Sequence, residues 1–139
     1  MEPPPAEVLS VMIADQLYQD DVSGRVSLLG IRSDIRAKAL PHVHPQLVVY
    51  FVLTNGRGTV SVTLRLIDEG EEREPIQETQ RQITFRDPLI EVTRAIRFNN
   101  LAFAEPGDYR VQLLVGGALV RERRLKVYYP DAAGPEGEG

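Results

Sequence analysis

Along most of this chain, apolar side chains return at every second position. In TVSVTLRLI, residues 59–67, Val60, Val62, Leu64 and Leu66 alternate with Thr59, Ser61, Thr63 and Arg65. A period of two belongs to a strand with one face toward a core and the other toward water. Less regular segments of this kind cover residues 8–14, 25–31, 77–85, 90–98, 109–115 and 119–128, and LVVYFVL, residues 47–53, is apolar without interruption. No segment holds a helical period between caps. Strands at short intervals, joined by Asn-Gly, Pro-Gly and Gly-Gly, predict an all-β antiparallel sandwich of about seven to nine strands with no substantial helix.

The C-terminal third is the most explicit. AEPGDYRVQLLVGGALVRERRLKVYY reads as a turn at Pro106-Gly107, a strand with Tyr109, Val111, Leu113 and Val115 on one face, a Gly116-Gly117 turn and a returning strand. Two glycines supply the positive φ angles of a two-residue hairpin. Pairing Val115 with Ala118 places Val120 opposite Leu113. The alternation then slips, because Glu122 and Arg124 are charged while Leu125 and Val127 are apolar. A β-bulge between Val120 and Leu125 restores the phase. In TNGRGT, residues 54–59, the Asn-Gly pair likewise reads as a hairpin turn. The charged stretch DEGEEREP, residues 68–75, reads as an exposed loop.

Both ends read as tails. Pro3, Pro4 and Pro5 donate no backbone hydrogen bonds, and DAAGPEGEG has little to bury, so residues 1–7 and 130–139 are expected to be disordered around one domain, 8–129. The chain of 139 residues is 42% hydrophobic and 26% charged, which fits one globular core. It has no apolar run near the roughly 20 residues that cross a bilayer. MEPPPAEVLSVMIADQ lacks the basic start and cleavage site of a secretory signal, so the cytoplasm is the expected compartment. With no Cys, disulfides and thiolate metal sites are excluded. A net charge of −4 argues against nucleic acid or anionic lipid as partners.

The order of elements resembles an immunoglobulin-like sandwich whose last hairpin follows a Pro-Gly-x-Tyr lead-in, here Pro106 to Tyr109. More narrowly, DVSGRVSLLGI, LVVYFVL and EPGDYRVQLLVGGALVRERRLKV resemble a family of uncharacterised bacterial proteins known only as a domain of unknown function. The resemblance implies a fold and carries no catalytic residues. The immunoglobulin pair of Cys and the core Trp are absent. Arg outnumbers Lys 14 to 2, in keeping with a GC-rich bacterial genome.

Candidate chemistry is sparse. In PHVHP, His42 and His44 point to the same side of an extended segment and could share a metal ion. Two ligands do not make a site, and a third would have to be a distant carboxylate. Asp15, Asp20, Asp21 and Asp34 could converge on calcium, but they lack the EF-hand spacing and suit ordinary turns. No serine lies in an activated motif, and TNGRGT lacks the lysine of a phosphate-binding loop. Arg110, Arg121, Arg123, Arg124 and Lys126 make the final hairpin basic, as a guard on a strand edge or a surface for an acidic partner.

The main functional clue is the two-sided strand 47–53. A sandwich core covers one face, so Val48, Tyr50 and Val52 on the other need either another segment, such as residues 8–14, or a second subunit. The expectation is a non-catalytic protein-interaction module with no cofactor, binding a protein partner or a second copy as a homodimer through this face or through exposed strand edges. The alternatives are a metal-dependent hydrolytic enzyme using His42 and His44, and a small-ligand carrier with a pocket between the sheets.

Overall fold

The computed structural model describes residues 5–69 and 74–129. Of the expected tails at 1–7 and 130–139, residues 1–4 and 130–139 lie outside the described residues, as does the middle of the charged loop at 70–73; Ala6 is buried in the core and Glu7 opens the first strand. Within them are nine strands and no helix: β1 (Glu7–Gln19), β2 (Val26–Ile31), β3 (Asp34–Arg36), β4 (His42–Thr54), β5 (Gly58–Asp68), β6 (Gln77–Phe85), β7 (Val92–Phe103), β8 (Gly107–Val115) and β9 (Ala118–Tyr128). Among the described residues no helix is long and apolar enough to cross a membrane.

The strands form two sheets, ordered β2-β1-β4-β7 and β3-β9-β8-β5-β6. All neighbours are antiparallel except β3 and β9. The predicted alternation makes the core. Val60, Val62, Leu64 and Leu66 of β5 face Leu47, Val49, Phe51 and Leu53 of β4 across the sandwich, all buried. The connectivity is that of the immunoglobulin arrangement: β1-β4-β7 stand as its A-B-E strands and β9-β8-β5 as G-F-C, with β6 added beside C. Tyr109 opens the F-like strand. Its hydroxyl donates to the Glu105 carbonyl at 2.6 Å, and its ring meets Phe103 edge-on at 5.0 Å. Two residues on, where immunoglobulins place a cysteine, Val111 is buried instead.

Three local expectations need correction. The Asn-Gly pair does not close a hairpin, because β4 and β5 lie in different sheets and residues 55–57 cross between them. Asn55 takes the left-handed conformation, φ 59°, and its amide donates to Pro88. Gly56 is there for space: a Cβ would fall 2.2 Å from the Phe85 ring. At the Gly116-Gly117 hairpin Val115 does pair with Ala118, but the bulge comes earlier than expected. Leu114 pairs with Leu119 and Leu113 with Arg121, so Val120 is itself the extra residue and is not opposite Leu113. Placing the slip there returns Leu125 and Val127 to the core after one irregularity. β3, only three residues long, carries too little pattern to be read from sequence.

Tyr109→Phe removes one buried hydroxyl and leaves its ring packing. We expect a loss of about 1 kcal/mol of folding stability, read as a lower urea midpoint with an unchanged slope.

Candidate functional site

β1 pairs with β4 only as far as Ala14, opposite Val48; beyond it, residues 16–19 pair with β2 alone. β1 and β2 thus extend as a two-stranded arm. Its turn is closed by Asp20, whose carboxylate accepts the Ser23 amide at 2.7 Å and whose carbonyl accepts that of Gly24. Asp20 therefore acts as a turn residue. This arm and the outer surface of β4 and β7 line a cleft of about 500 Å³, with Leu17, Gln19, Gly24 and Val26 from the arm and Tyr50, Thr93, Arg94 and Ala95 from the sheet.

The candidate interface is more enclosed than its sequence implied. Val48 is fully buried, and Tyr50 and Val52 are half-buried. Residues 8–14 do not fold over them; they lie edge to edge with β4 in the same sheet, since Met12 pairs with Tyr50. The strand-forming period that made those residues a candidate cover also makes them a hydrogen-bonded neighbour.

At the base of the arm lies a polar cluster. In the β4–β7 ladder the pairs Leu47–Phe98 and Val49–Ile96 face the core, and so do Leu101 and Phe103 beyond them. The core-facing parity therefore changes around Pro45 and Asn100, where Asn100 adopts φ 54°. His44, opposite Leu101, and His42, opposite Phe103, turn onto the core side at its open end. There the His44 Nε2–H donates to Asp15 Oδ1 at 3.1 Å, and Arg32 Nη2 donates to Asp15 Oδ2 at 2.5 Å. His44 Nδ1 faces His42 Nε2 at 3.4 Å, and the His42 ring stacks on Phe103. Arg32, on the link between the sheets, also donates to the Asp34 carbonyl at 2.8 Å.

This cluster has a defined charge. Burial pushes the Asp15 carboxyl up, but the hydrogen bonds and charges of Arg32 and His44 outweigh it and hold the group below the usual aspartate range. Burial, followed by the nearby His44 and Arg32, pushes His42 down, which favours neutral imidazole. Gly30 gives Asp15 its place. It sits at φ 71°, and a Cβ there would fall 2.8 Å from Asp15 Oδ2. Among the described residues no three His, Asp or Glu side chains converge at ligating distance. Asp20 and exposed Asp21 lie in the turn at the arm's tip, away from Asp15 and Asp34, which both meet Arg32 at its base, so the calcium reading finds no common centre. Asp15 is the carboxylate that reaches this pair, and it does so as a hydrogen-bond partner of His44 Nε2, not as a third group converging on the two rings.

The basic hairpin is divided. Arg124 and Lys126 follow one parity of β9; Arg121 and Arg123 follow the other, in phase with Leu125 and Val127. Arg121 donates to the Val8 carbonyl at 2.7 Å, tying β9 to β1. Arg110 bridges Glu69, at 2.6 Å, and Glu122. Gln112, buried on the outer face of β8, accepts from Arg65 at 2.8 Å and donates to Glu122 at 2.9 Å. Lys126 and Arg36 both approach the Tyr128 ring, at 5.2 and 5.4 Å. Much of the basic charge is therefore spent within the fold.

Fold and cluster together define a two-sheet β-sandwich with a polar plug at one open end and a projecting arm. The chain belongs to the family of unknown function DUF6941, whose model matches residues 9–128. No curated protein matches it. Among solved structures it is similar to a β-glucosidase from Listeria innocua at 14% identity and TM-score 0.50, over 89% of this chain and 16% of that one. An immunoglobulin-like protein from Pseudomonas aeruginosa aligns at 11% identity and TM-score 0.43, over 88% and 95% of the two chains. An alkylpurine DNA glycosylase from Pseudomonas fluorescens, bound to DNA with an abasic site analog, aligns at 9% identity and TM-score 0.46, over 90% and 31%. The chain thus spans about a third of the glycosylase and a sixth of the glucosidase. Likeness at this identity speaks for the fold alone.

Two outcomes test these networks. Gly30→Ala must strain a left-handed backbone and displace Asp15, with an expected cost of about 1–3 kcal/mol in thermal or chemical unfolding. The Glu122 carboxyl is held below the usual glutamate range by the Gln112 hydrogen bond and, against burial, by Arg110. A depressed pKa contributes stability that is full above the unfolded value and is lost as pH falls through the folded one. Unfolding followed from neutral to acid pH should show the wild-type advantage over Glu122→Gln shrinking across that interval.

Proposed function

We propose that this domain is a non-catalytic protein-interaction module that associates with a second copy of itself through the free edge of β2. One observation carries the reading. The two sheets end in four edge strands, β2, β7, β3 and β6. β7 carries Arg94 and Arg97, β6 carries Glu78 and Arg81, and β3 is three residues long with Asp34 and Arg36. Charge and shortness are how sheets avoid edge-to-edge pairing. β2, VSLLGI, has no charge and no proline, and its Val26, Leu29 and Ile31 are 38%, 50% and 56% exposed.

An uncharged edge is self-complementary. Two β2 strands related by a two-fold axis pair antiparallel, apolar against apolar, and join two four-stranded sheets into one. Backbone hydrogen bonds supply affinity in such strand addition and the side chains supply register. Half-buried Tyr50 then stands in the floor of the neighbouring cleft, and the dimer axis lies on the arm.

Light scattering at micromolar protein tests the assignment. The wild type is expected at twice the chain mass, Leu29→Lys at the single-chain mass, and Tyr50→Glu still at twice. A monomeric wild type, or a Leu29→Lys variant that remains dimeric, overturns it. Dissociation by Tyr50→Glu alone would move the interface to the face of β4.

A further inference from the structure

We propose that His42 and His44 form a proton-operated latch on the open end of the sandwich: their contact holds the His42 ring over Phe103 while the pair carries at most one charge, and lets it go when both rings are charged. The contact is direct. His42 Nε2 and His44 Nδ1 stand 3.4 Å apart. The ring centroids, at 5.6 Å, are nearly as far apart as that contact allows, so the two nitrogens meet head-on along the line joining the rings. The His42 ring lies over Phe103 with 6.4 Å between centroids and 23° between planes, and Phe103 is fully buried.

The placement of hydrogens is fixed from the Asp15 end. An ionised carboxylate only accepts, so His44 Nε2, 3.1 Å from Asp15 Oδ1, carries a hydrogen. In the neutral ring His44 Nδ1 is then a bare acceptor, and His42 Nε2 donates to it. A first added proton leaves this bond in place. It settles on the outer Nδ1 of His42, or on His44 Nδ1, which then donates to a His42 whose own hydrogen has moved to Nδ1. A second added proton finds no such position. Both facing nitrogens would carry hydrogens, neither could accept, and two cations would stand side by side. The surrounding groups add to the resistance. Arg32 brings a further positive charge from the link between the sheets, and Asp15 of β1 is already engaged by Arg32 and His44. β7 offers only the Phe103 ring, with Tyr109 of β8 behind it and the Tyr109 hydroxyl given to the Glu105 carbonyl. In accord with this, burial first, and then His44 and Arg32, hold His42 below the ordinary imidazole range.

His42 is the ring that yields. It is half-buried at the first position of β4, between exposed Pro41 and Val43, whereas His44 is buried and held by Asp15. Turning outward hydrates the charge of His42 and bares Phe103, so acid converts a closed end of the core into an exposed aromatic face. β2 carries no titratable side chain, so the latch operates whether or not its edge is paired with a second copy.

These are the two histidines of the chain, and there is no Cys, so no other side chain has its ordinary value between about pH 7 and 5. The folded pair takes up one proton fewer than the unfolded chain. Stability is therefore full above the unfolded imidazole value and falls as pH drops below it. Chemical unfolding of the full-length protein across that interval, at one protein concentration, is the experiment. The wild-type unfolding constant is expected to rise toward about tenfold per pH unit, the figure for one proton. In His42→Gln, whose amide can donate to His44 Nδ1 or accept from it and takes no charge, the rise should be absent. Histidine ring resonances of the wild type give a second reading. Two separate titration steps are expected, with the nuclear Overhauser contact between the His42 and Phe103 rings lost in the second and that between Tyr109 and Phe103 kept through both. The latch is overturned by a wild-type constant that stays level across the interval, by a rise of equal size in His42→Gln, or by a His42–Phe103 contact that survives with both rings charged.

Discussion

A strand's side chains alternate, and a paired strand cannot change which residues face the core without its partner changing too. β4 and β7 meet this constraint. Their register is one continuous ladder, from Leu53 opposite Val92 to His42 opposite Phe103. Yet the core-facing set steps by three residues on both strands, from Leu47 to His44 and from Phe98 to Leu101. Proline, with no amide to donate, stands on one side of the step at Pro45, and a left-handed asparagine on the other at Asn100. Without the step both histidines would point to solvent. With it they close the open end of the sandwich, Phe103 stacks on His42, and Tyr109 packs on Phe103. The link carrying Arg32 from one sheet to the other completes the plug.

This dependence explains what could be read from sequence and what could not. The number and type of strands were legible because a period of two survives in β5 and β8, and because strand connections are short. The Gly116-Gly117 hairpin was legible because its chemistry is local. Asn55-Gly56 misled for the same reason. Local chemistry specifies a bend with a positive φ, but whether the bend joins neighbours or crosses between sheets depends on where β5 finds its partners. The shift of the bulge to Val120 is a related case: the pattern demands one extra residue without saying where, and its place at Val120 sets Arg121 opposite Leu113, where it donates to the Val8 carbonyl of β1.

The cluster at the base of the arm was only half legible. His42 and His44 were visible as a pair because they are two apart, and Asp15 was visible only as a turn-like acid. Nothing joined them, since Asp15 lies 29 residues from His44 and 17 from Arg32. Gly30 was the missing signal. A glycine inside an apolar strand often marks close approach by another group, and here that group is the Asp15 carboxylate. The basic hairpin failed as a single surface for the opposite reason, because the bulge and the pairing partners divide what is contiguous in sequence.

A plug of this kind is an expensive way to close a sandwich. Moving an arginine, a carboxylate and two imidazoles toward a low-dielectric interior sacrifices hydration, and replacing such groups by packed hydrocarbon is often neutral or stabilising. Among the described residues Arg32 Nε is buried without a partner, so the arrangement is not one that satisfies every group for its own sake. At the other positions around this core, from Ile13 to Leu125, the chain uses hydrocarbon throughout. The polar set is confined to the one place where the arm leaves the sheet, the two sheets are linked and the parity of β4 changes. An apolar plug would serve the packing at lower cost; it would not hold an imidazole in one tautomer with its second nitrogen directed at another.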